Sequence, residues 1–330
     1  MAIKWYDTRV TIERYPHATF YFLIGMRGNG KTYSTLRYAR EEDLRIEYMR
    51  RTATEIDLCS TEKGNPFKSL NNDFGWNVSF KKSQKNNYIY EDDSLIGYAD
   101  ALSTFDNVRG MDMTDVDFIY FDEFIRPPAK DRIKNEADIF FNAYETITRN
   151  RELKGLAPVK AVLTANSMSL DSEILSEIGF VPEIEHMRRY GQKIAYFPEQ
   201  GAVIELTDSP EVAKEKEKTA LYKLTAGTRF KQHAINNEFV YDDFYGVEQI
   251  KNLIEWYPLC AIGDIYIYRH KSKNEFYACR VRGSCMIFEE RNQLQFMRNY
   301  GIMLREEFFM GNVKFSDFQL KKRLTTYLKI

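Results

Sequence analysis

The stretch from Phe20 to Tyr33, Phe-Tyr-Phe-Leu-Ile-Gly-Met-Arg-Gly-Asn-Gly-Lys-Thr-Tyr, constrains this chain more than any other. Five apolar or aromatic residues with strand preference run into Gly25, and Gly25 to Thr32 then satisfies Gly-x4-Gly-Lys-Thr at every fixed position. A strand, a glycine bend and a helix in that order form a phosphate cradle. The bend turns successive N–H groups toward an anion, and the helix adds the positive end of its dipole. The spacing assigns Gly25, Met26, Arg27, Gly28, Asn29, Gly30, Lys31, Thr32 and Tyr33 to nucleotide binding. Lys31 faces the β- and γ-phosphates and the Thr32 hydroxyl faces Mg²⁺. The expected ligands are ATP and Mg²⁺, and the expected fold is an α/β P-loop core built on a parallel sheet.

Such a core needs an acidic strand tip beside the bend. Asp117-Phe118-Ile119-Tyr120-Phe121 supplies an apolar strand ending in Asp122-Glu123. Asp122 is the expected Mg²⁺ ligand, and Glu123 the base that orients and deprotonates the attacking water. Val159 to Ala165 is a further apolar strand running into Asn166, a polar tip able to contact the lytic water and the γ-phosphate. Kinases and small GTPases lack the acid at position 123, so the order points to the large P-loop class that hydrolyses with a catalytic glutamate.

Between these strands, Ile46 to Arg50 reads as a short strand. Arg50 and Arg51 at its end face a nucleotide, a neighbouring subunit or a surface ion pair. From Thr52 to Thr104, polar clusters at 71–73, 81–87 and 91–94 separate short strand-like pieces at 78–81 and 88–90, which reads as antiparallel hairpins inserted between core strands. Apolar spacing predicts a helix from Asn135 to Glu152 whose basic end carries Arg149 and Arg151. Those arginines serve either the helix dipole or a neighbour's γ-phosphate. Ahead of the cradle, Trp5, Tyr6, Arg14 and Tyr15 either hold a base or simply pack.

A helix to Ile178 and strands at 193–197 and 202–206 complete a first domain, 1–207. A mixed-charge segment, 208–228, reads as a linker or lid helix. Residues 229–330 form a second, smaller α+β domain. They hold 16 Lys plus Arg against 12 Asp plus Glu, whereas the whole chain is at −1, so an anionic partner is expected to meet this part. Strands at 261–269 and 275–281 make a hairpin in which Arg269, Lys271, Lys273, Arg280 and Arg282 alternate with Tyr266, Tyr268, Phe276 and Tyr277. This pattern suits a nucleic acid or an ordinary half-buried hairpin. Four cysteines and four histidines at scattered positions give no disulfide or metal framework. With no signal peptide and no run of bilayer length, the chain reads as a soluble intracellular protein, with no membrane partner.

Ile24 to Thr32, Tyr48-Met49-Arg50-Arg51, Phe121-Asp122-Glu123-Phe124-Ile125-Arg126, Arg149-Asn150-Arg151-Glu152 and Leu163-Thr164-Ala165-Asn166 together resemble the DNA-packaging motor ATPases of phi29-like tailed phages, a group related to large terminases. The resemblance implies a ring ATPase, a pentamer in this family, that drives double-stranded DNA into a preformed procapsid in the host cytoplasm. A portal, and in some members a structural RNA, are the partners. Arg149, with Arg151 as second choice, becomes the finger reaching a neighbour's site, and Arg27 a charge-neutralising residue within one subunit. Arg109, Lys130 and Arg132 become DNA contacts. The C-terminal domain becomes a degenerate RNase H-like fold without nuclease activity, in which Asp264 and Glu289-Glu290 echo lost metal ligands. A helicase or remodelling ATPase, and a nucleotide-gated assembly protein with little turnover, are the competing readings.

Overall fold

The computed structural model describes residues 4–83, 86–108, 112–126, 133–166, 169–228, 231 and 245–330. The chain divides into two compact units, 1–178 with 184–241, and 179–183 with 242–330.

The first unit is built on a nine-stranded sheet. Its elements run α1 (Thr8–Arg14), β1 (Phe20–Gly25), α2 (Lys31–Glu41), β2 (Ile46–Arg50), α3 (Ala53–Cys59), α4 (Lys68–Phe74), β3 (Val78–Ser83), β4 (Asn86–Glu91), β5 (Ser94–Ala101), β6 (Phe118–Asp122), α5 (Glu136–Thr148), β7 (Lys160–Asn166), α6 (Glu173–Ile178), α7 (Val181–Tyr190, of which 184–190 belong to this unit), β8 (Ile194–Phe197), β9 (Ala202–Thr207), α8 (Pro210–Glu217) and α9 (Ala220–Leu224). The strand order is β3-β4-β5-β2-β6-β7-β1-β9-β8. Strands β5, β2, β6, β7, β1 and β9 run parallel, and β3, β4 and β8 are antiparallel additions at the two edges. The central strands carry long unbroken apolar runs because helices cover both faces; all five residues of β6 are buried.

Register places the chemistry along one edge. Gly25 lies opposite Asn166 and Thr207, and Asp122 opposite Thr164, so the carboxyl ends of β1, β6, β7 and β9 finish side by side. Strand β2 borders β6, which brings Arg50 to the same edge.

Two readings of residues 52–104 change, while the antiparallel hairpins inserted between core strands are found as expected. Thr52 and Glu55 form a capping box that starts α3, a signal legible as Thr-x-x-Glu but outweighed by the polar composition around it. Residues 71–73 lie inside α4, where Leu70 is fully buried, and do not form a turn. The antiparallel strands β3 and β4 join the main sheet through β5, whose parallel pairing with β2 continues its hydrogen bonding. The charged segment 208–228 is likewise part of the first unit: Val212 buries one face of α8 there.

Arg51 is buried among this unit's apolar side chains, paired with Glu136, and donates to the Phe124 carbonyl at 3.2 Å. Removing one member of a buried pair strands the other. Arg51→Met is expected to lower the unfolding free energy by about 3–5 kcal/mol in chemical denaturation, with Arg51→Met/Glu136→Leu recovering most of it.

In the second unit a smaller sheet has the order β13-β10-β11-β12-β14, with β10 (Trp256–Ile262), β11 (Ile265–His270), β12 (Phe276–Cys279), β13 (Met286–Phe288) and β14 (Val313–Phe315). The run read as one strand over 261–269 is broken at Gly263-Asp264 into the turn between β10 and β11. Tyr266, Tyr268, Phe276 and Tyr277 are all buried in this unit's core, so they offer no stacking surface to a nucleic acid; the half-buried hairpin is the reading that holds. The helix Phe318–Leu328 buries Leu320, Leu324 and Leu328 and presents Arg323, which pairs with both Asp264 and Glu290. Among the described residues no helix is long and apolar enough to cross a membrane.

Candidate functional site

The bend after β1 encloses a cleft of about 320 Å³, lined by residues 27–33, Asp122, Glu123 and 164–166. Gly28 and Gly30 adopt φ of +64° and +106°, backbone that only glycine takes without strain, and this curls the loop onto the first turn of α2. Three contacts hold the loop. Asn29 Nδ2 donates to Thr207 Oγ1 at 3.1 Å, Tyr6 N to the Asn29 carbonyl at 3.0 Å, and Lys216 Nζ on α8 to the Arg27 carbonyl.

Lys31 opens α2, is 6% exposed, and spends its ammonium on neutral acceptors: the carbonyls of Gly25 at 3.2 Å and Met26 at 2.8 Å, and Asn29 Oδ1 at 3.2 Å. Burial therefore pulls its pKa down to about 7, opposed by the Asp122 charge and assisted by Lys216. A bound polyanion restores the charged form. Above pH 7 nucleotide binding is thus expected to take up close to one proton, and affinity to fall as pH rises, by up to about one order per pH unit. Calorimetric titrations at about pH 8 in buffers of different ionisation enthalpy measure that uptake; observed heats that are the same in every buffer would show that Lys31 is already charged in the free protein.

Asp122 sits at the tip of β6 in a shell of donors. Its Oδ1 accepts from Thr164 Oγ1 at 2.8 Å and Thr32 Oγ1 at 3.4 Å, and its Oδ2 from Arg50 at 3.2 Å and the Tyr48 hydroxyl at 3.3 Å. The adjacent Thr32 hydroxyl and Asp122 carboxylate form an all-oxygen donor set that suits Mg²⁺. Glu123 turns out of the strand with φ +55° and reaches Arg50 Nη2 at 2.8 Å, its side chain 41% exposed at the cleft. Arg50 thus bridges both acids. Of the three placements left open for it, the structure brings it to the site. Alternation along β2 puts Tyr48 and Arg50 on one face, but only the neighbouring of β2 and β6 aims that face at Asp122.

Asn166 and Arg27 line the cleft, whereas Arg149 and Arg151 do not line that of their own chain. Helix α5 runs back across the sheet. Tyr144, near its end, bonds the Val159 carbonyl just ahead of β7, and Arg151 bonds the Val116 carbonyl and Asp117 ahead of β6. Arg149 caps this end with φ +38°, at the sheet edge opposite the cleft. Arg109, Lys130 and Arg132 lie outside the described residues. A second groove of about 660 Å³ shares Gly28, Gly30 and Tyr33 with the cleft and is walled by Trp5, Tyr6, Arg37 and Asp73. Arg14 and Tyr15 do not line it; Arg14 lies over the Tyr15 ring, which in turn packs against Tyr196.

The podovirus DNA encapsidation protein (Gp16) family matches residues 11–254. The DNA packaging protein of Bacillus phage phi29 is 28% identical over 233 residues, 69% of this chain and 64% of that protein. The DNA packaging protein of Bacillus phage B103 is 30% identical over the same length, 69% of this chain and 66% of its own. The match thus spans a little under two thirds of these relatives. Among solved structures, a chain of the bacteriophage Phi-29 viral genome packaging motor assembly superposes with a TM-score of 0.70 at 19% identity, covering 98% of this chain and 99% of that one. A chain of the Phi-28 gp11 DNA packaging motor gives 0.62 at 17% identity, covering 99% and 96%. These likenesses share the fold. With the family match covering more than half of its length, the chain belongs to the podovirus DNA encapsidation protein (Gp16) family.

Proposed function

We propose that this protein is the ATP-hydrolysing subunit of a ring that drives double-stranded DNA into a procapsid. The observation that carries the reading is the meeting of Lys31, Thr32, Asp122 and Glu123 on one cleft while Arg149 stands at the opposite sheet edge. In this reading Lys31 leaves its carbonyl partners for the β- and γ-phosphates. Thr32 and Asp122 hold Mg²⁺, which when bound neutralises developing phosphate charge. Glu123 takes the proton of the attacking water, and Asn166 stands where it contacts that water and the γ-phosphate. The Arg50 ion pair keeps the Glu123 carboxylate engaged, so hydrolysis requires Arg50 to release it. Trp5 and Tyr33 wall the adjoining groove and suit an adenine face.

Arg149 completes the charge in the cleft of the next subunit, so the active unit is an oligomer; a pentamer with a portal partner and a structural RNA follows the family resemblance. Arg109, Lys130 and Arg132 are the proposed DNA contacts. The second unit is proposed as a tether with a degenerate nuclease fold. The Arg323 guanidinium sits on Asp264 and Glu290, where cleavage would need metal ions. The proposed workplace is the host cytoplasm, at the procapsid.

The test is steady-state ATP hydrolysis with and without double-stranded DNA. DNA is expected to raise turnover several-fold, with the stimulation fading between about 50 and 200 mM salt as phosphate contacts are lost. Turnover indifferent to DNA at low salt would leave an ATPase without a translocation role.

A further inference from the structure

Helix α8 brings a lysine to the phosphate loop from 189 residues away. The route is short in space. Strand β9 lies parallel to β1 with Thr207 opposite Gly25, so the chain leaves β9 beside the loop. Pro210 at the first helical position starts α8 at once, and buried Val212 fixes its roll. Two turns later Lys216 arrives over the loop. Its ammonium donates to the Arg27 carbonyl and lies 3.1 Å from where a Cβ on Gly28 would stand.

The charges there are unbalanced. Among the described residues neither Lys216 nor Arg27 is in an ion pair with a carboxylate, and the two acids of the cleft, Asp122 and Glu123, are engaged by Arg50. Burial lowers the pKa of both lysines, and like charge adds to it, from Lys216 at Lys31 and from Arg27 at Lys216. A carbonyl offers a partly desolvated cation only a dipole, whereas a phosphate oxygen offers a full opposite charge. Lys31 and Thr32, on the first turn of α2, approach from one side and serve the β- and γ-phosphates and Mg²⁺ in the reading above. Lys216 and Arg27 stand over the other half of the loop.

We propose that Lys216 is a phosphate ligand: when a nucleoside triphosphate fills the cleft, its ammonium leaves the Arg27 carbonyl for an oxygen of the outermost phosphate, making α8 part of the site. This rests on the nucleotide reading above. On it, Lys216 discriminates triphosphate from diphosphate, a task that bracing the loop backbone would not perform.

The experiment is calorimetric titration of the full chain with a slowly hydrolysed ATP analogue and with ADP, both with Mg²⁺. Lys216→Gln is expected to weaken the triphosphate about tenfold and ADP by less than about threefold. Lys216→Met, which keeps the stem and removes the charge, should do the same. Lys216→Arg should stay within about threefold of the wild type for both, as should Lys214→Gln on an exposed face of the same helix. Equal losses for both nucleotides would make Lys216 a brace and overturn the assignment, as would no loss at all. A wild-type chain that binds neither nucleotide, or a Lys31→Ala chain that binds both normally, brings down the nucleotide reading itself, a result distinct from either.

Discussion

Glu123→Gln is expected to reduce ATP hydrolysis by about 10²–10⁴-fold while leaving nucleotide binding in place. The carboxamide has the shape of the acid but accepts no proton from water. The substitution costs little in folding, because the side chain is 41% exposed and its ion pair to Arg50 stands at the rim of the cleft. Binding is retained because Lys31, the loop and the Thr32–Asp122 pair are untouched. The measurement is phosphate release under saturating ATP, with DNA present, alongside analogue binding. Wild-type turnover no faster than that of the variant would remove Glu123 from the chemistry. It would leave a nucleotide-gated assembly protein as the better description.

Arg149→Ala is expected to lower turnover by about a thousandfold or more, the scale of an arginine supplied from a neighbouring subunit. The reason is geometric. Strand β6 separates the Asp122 tip from the Val116–Asp117 end by roughly 16 Å, and Arg149 belongs to the latter end through Tyr144 and Arg151. It therefore does not line its own cleft, which is why the proposal gives it to a neighbour's. Mixing Arg149→Ala with Glu123→Gln subunits tests this directly. Where the two meet in one order, the interface combines an intact Glu123 with an intact Arg149, and hydrolysis returns. No recovery at any mixing ratio would shift the role to Arg27, which lines the cleft within one chain.

The parts of the site's geometry legible in advance are the local ones. The glycine bend from Gly25 to Thr32 works through backbone shape and one helix terminus, and eight consecutive residues specify both. The apolar strand ending in Asp122-Glu123 similarly carries its own burial and its own exit from the sheet. Polar clusters misled where a tertiary partner outweighed composition: Leu70 holds residues 71–73 in a helix, and Gly263-Asp264 turns a continuous apolar run into two strands. The aromatic residues of the basic hairpin looked able to stack on bases, but cross-strand packing consumes them.

The sequence by itself determined that this chain carries a glycine bend between strand and helix, an acidic strand tip and a polar-tipped strand in one parallel-sheet core. Each follows from residue type and period over fewer than about ten positions. Only the tertiary structure decided that Arg50 holds Glu123 across 73 residues, that Lys216 closes on the Arg27 carbonyl across 189, and that Arg149 does not line its own chain's cleft. Those pairings depend on strand order and on where a helix returns, and a sheet's order is set by the burial of all its strands together, which no local pattern encodes.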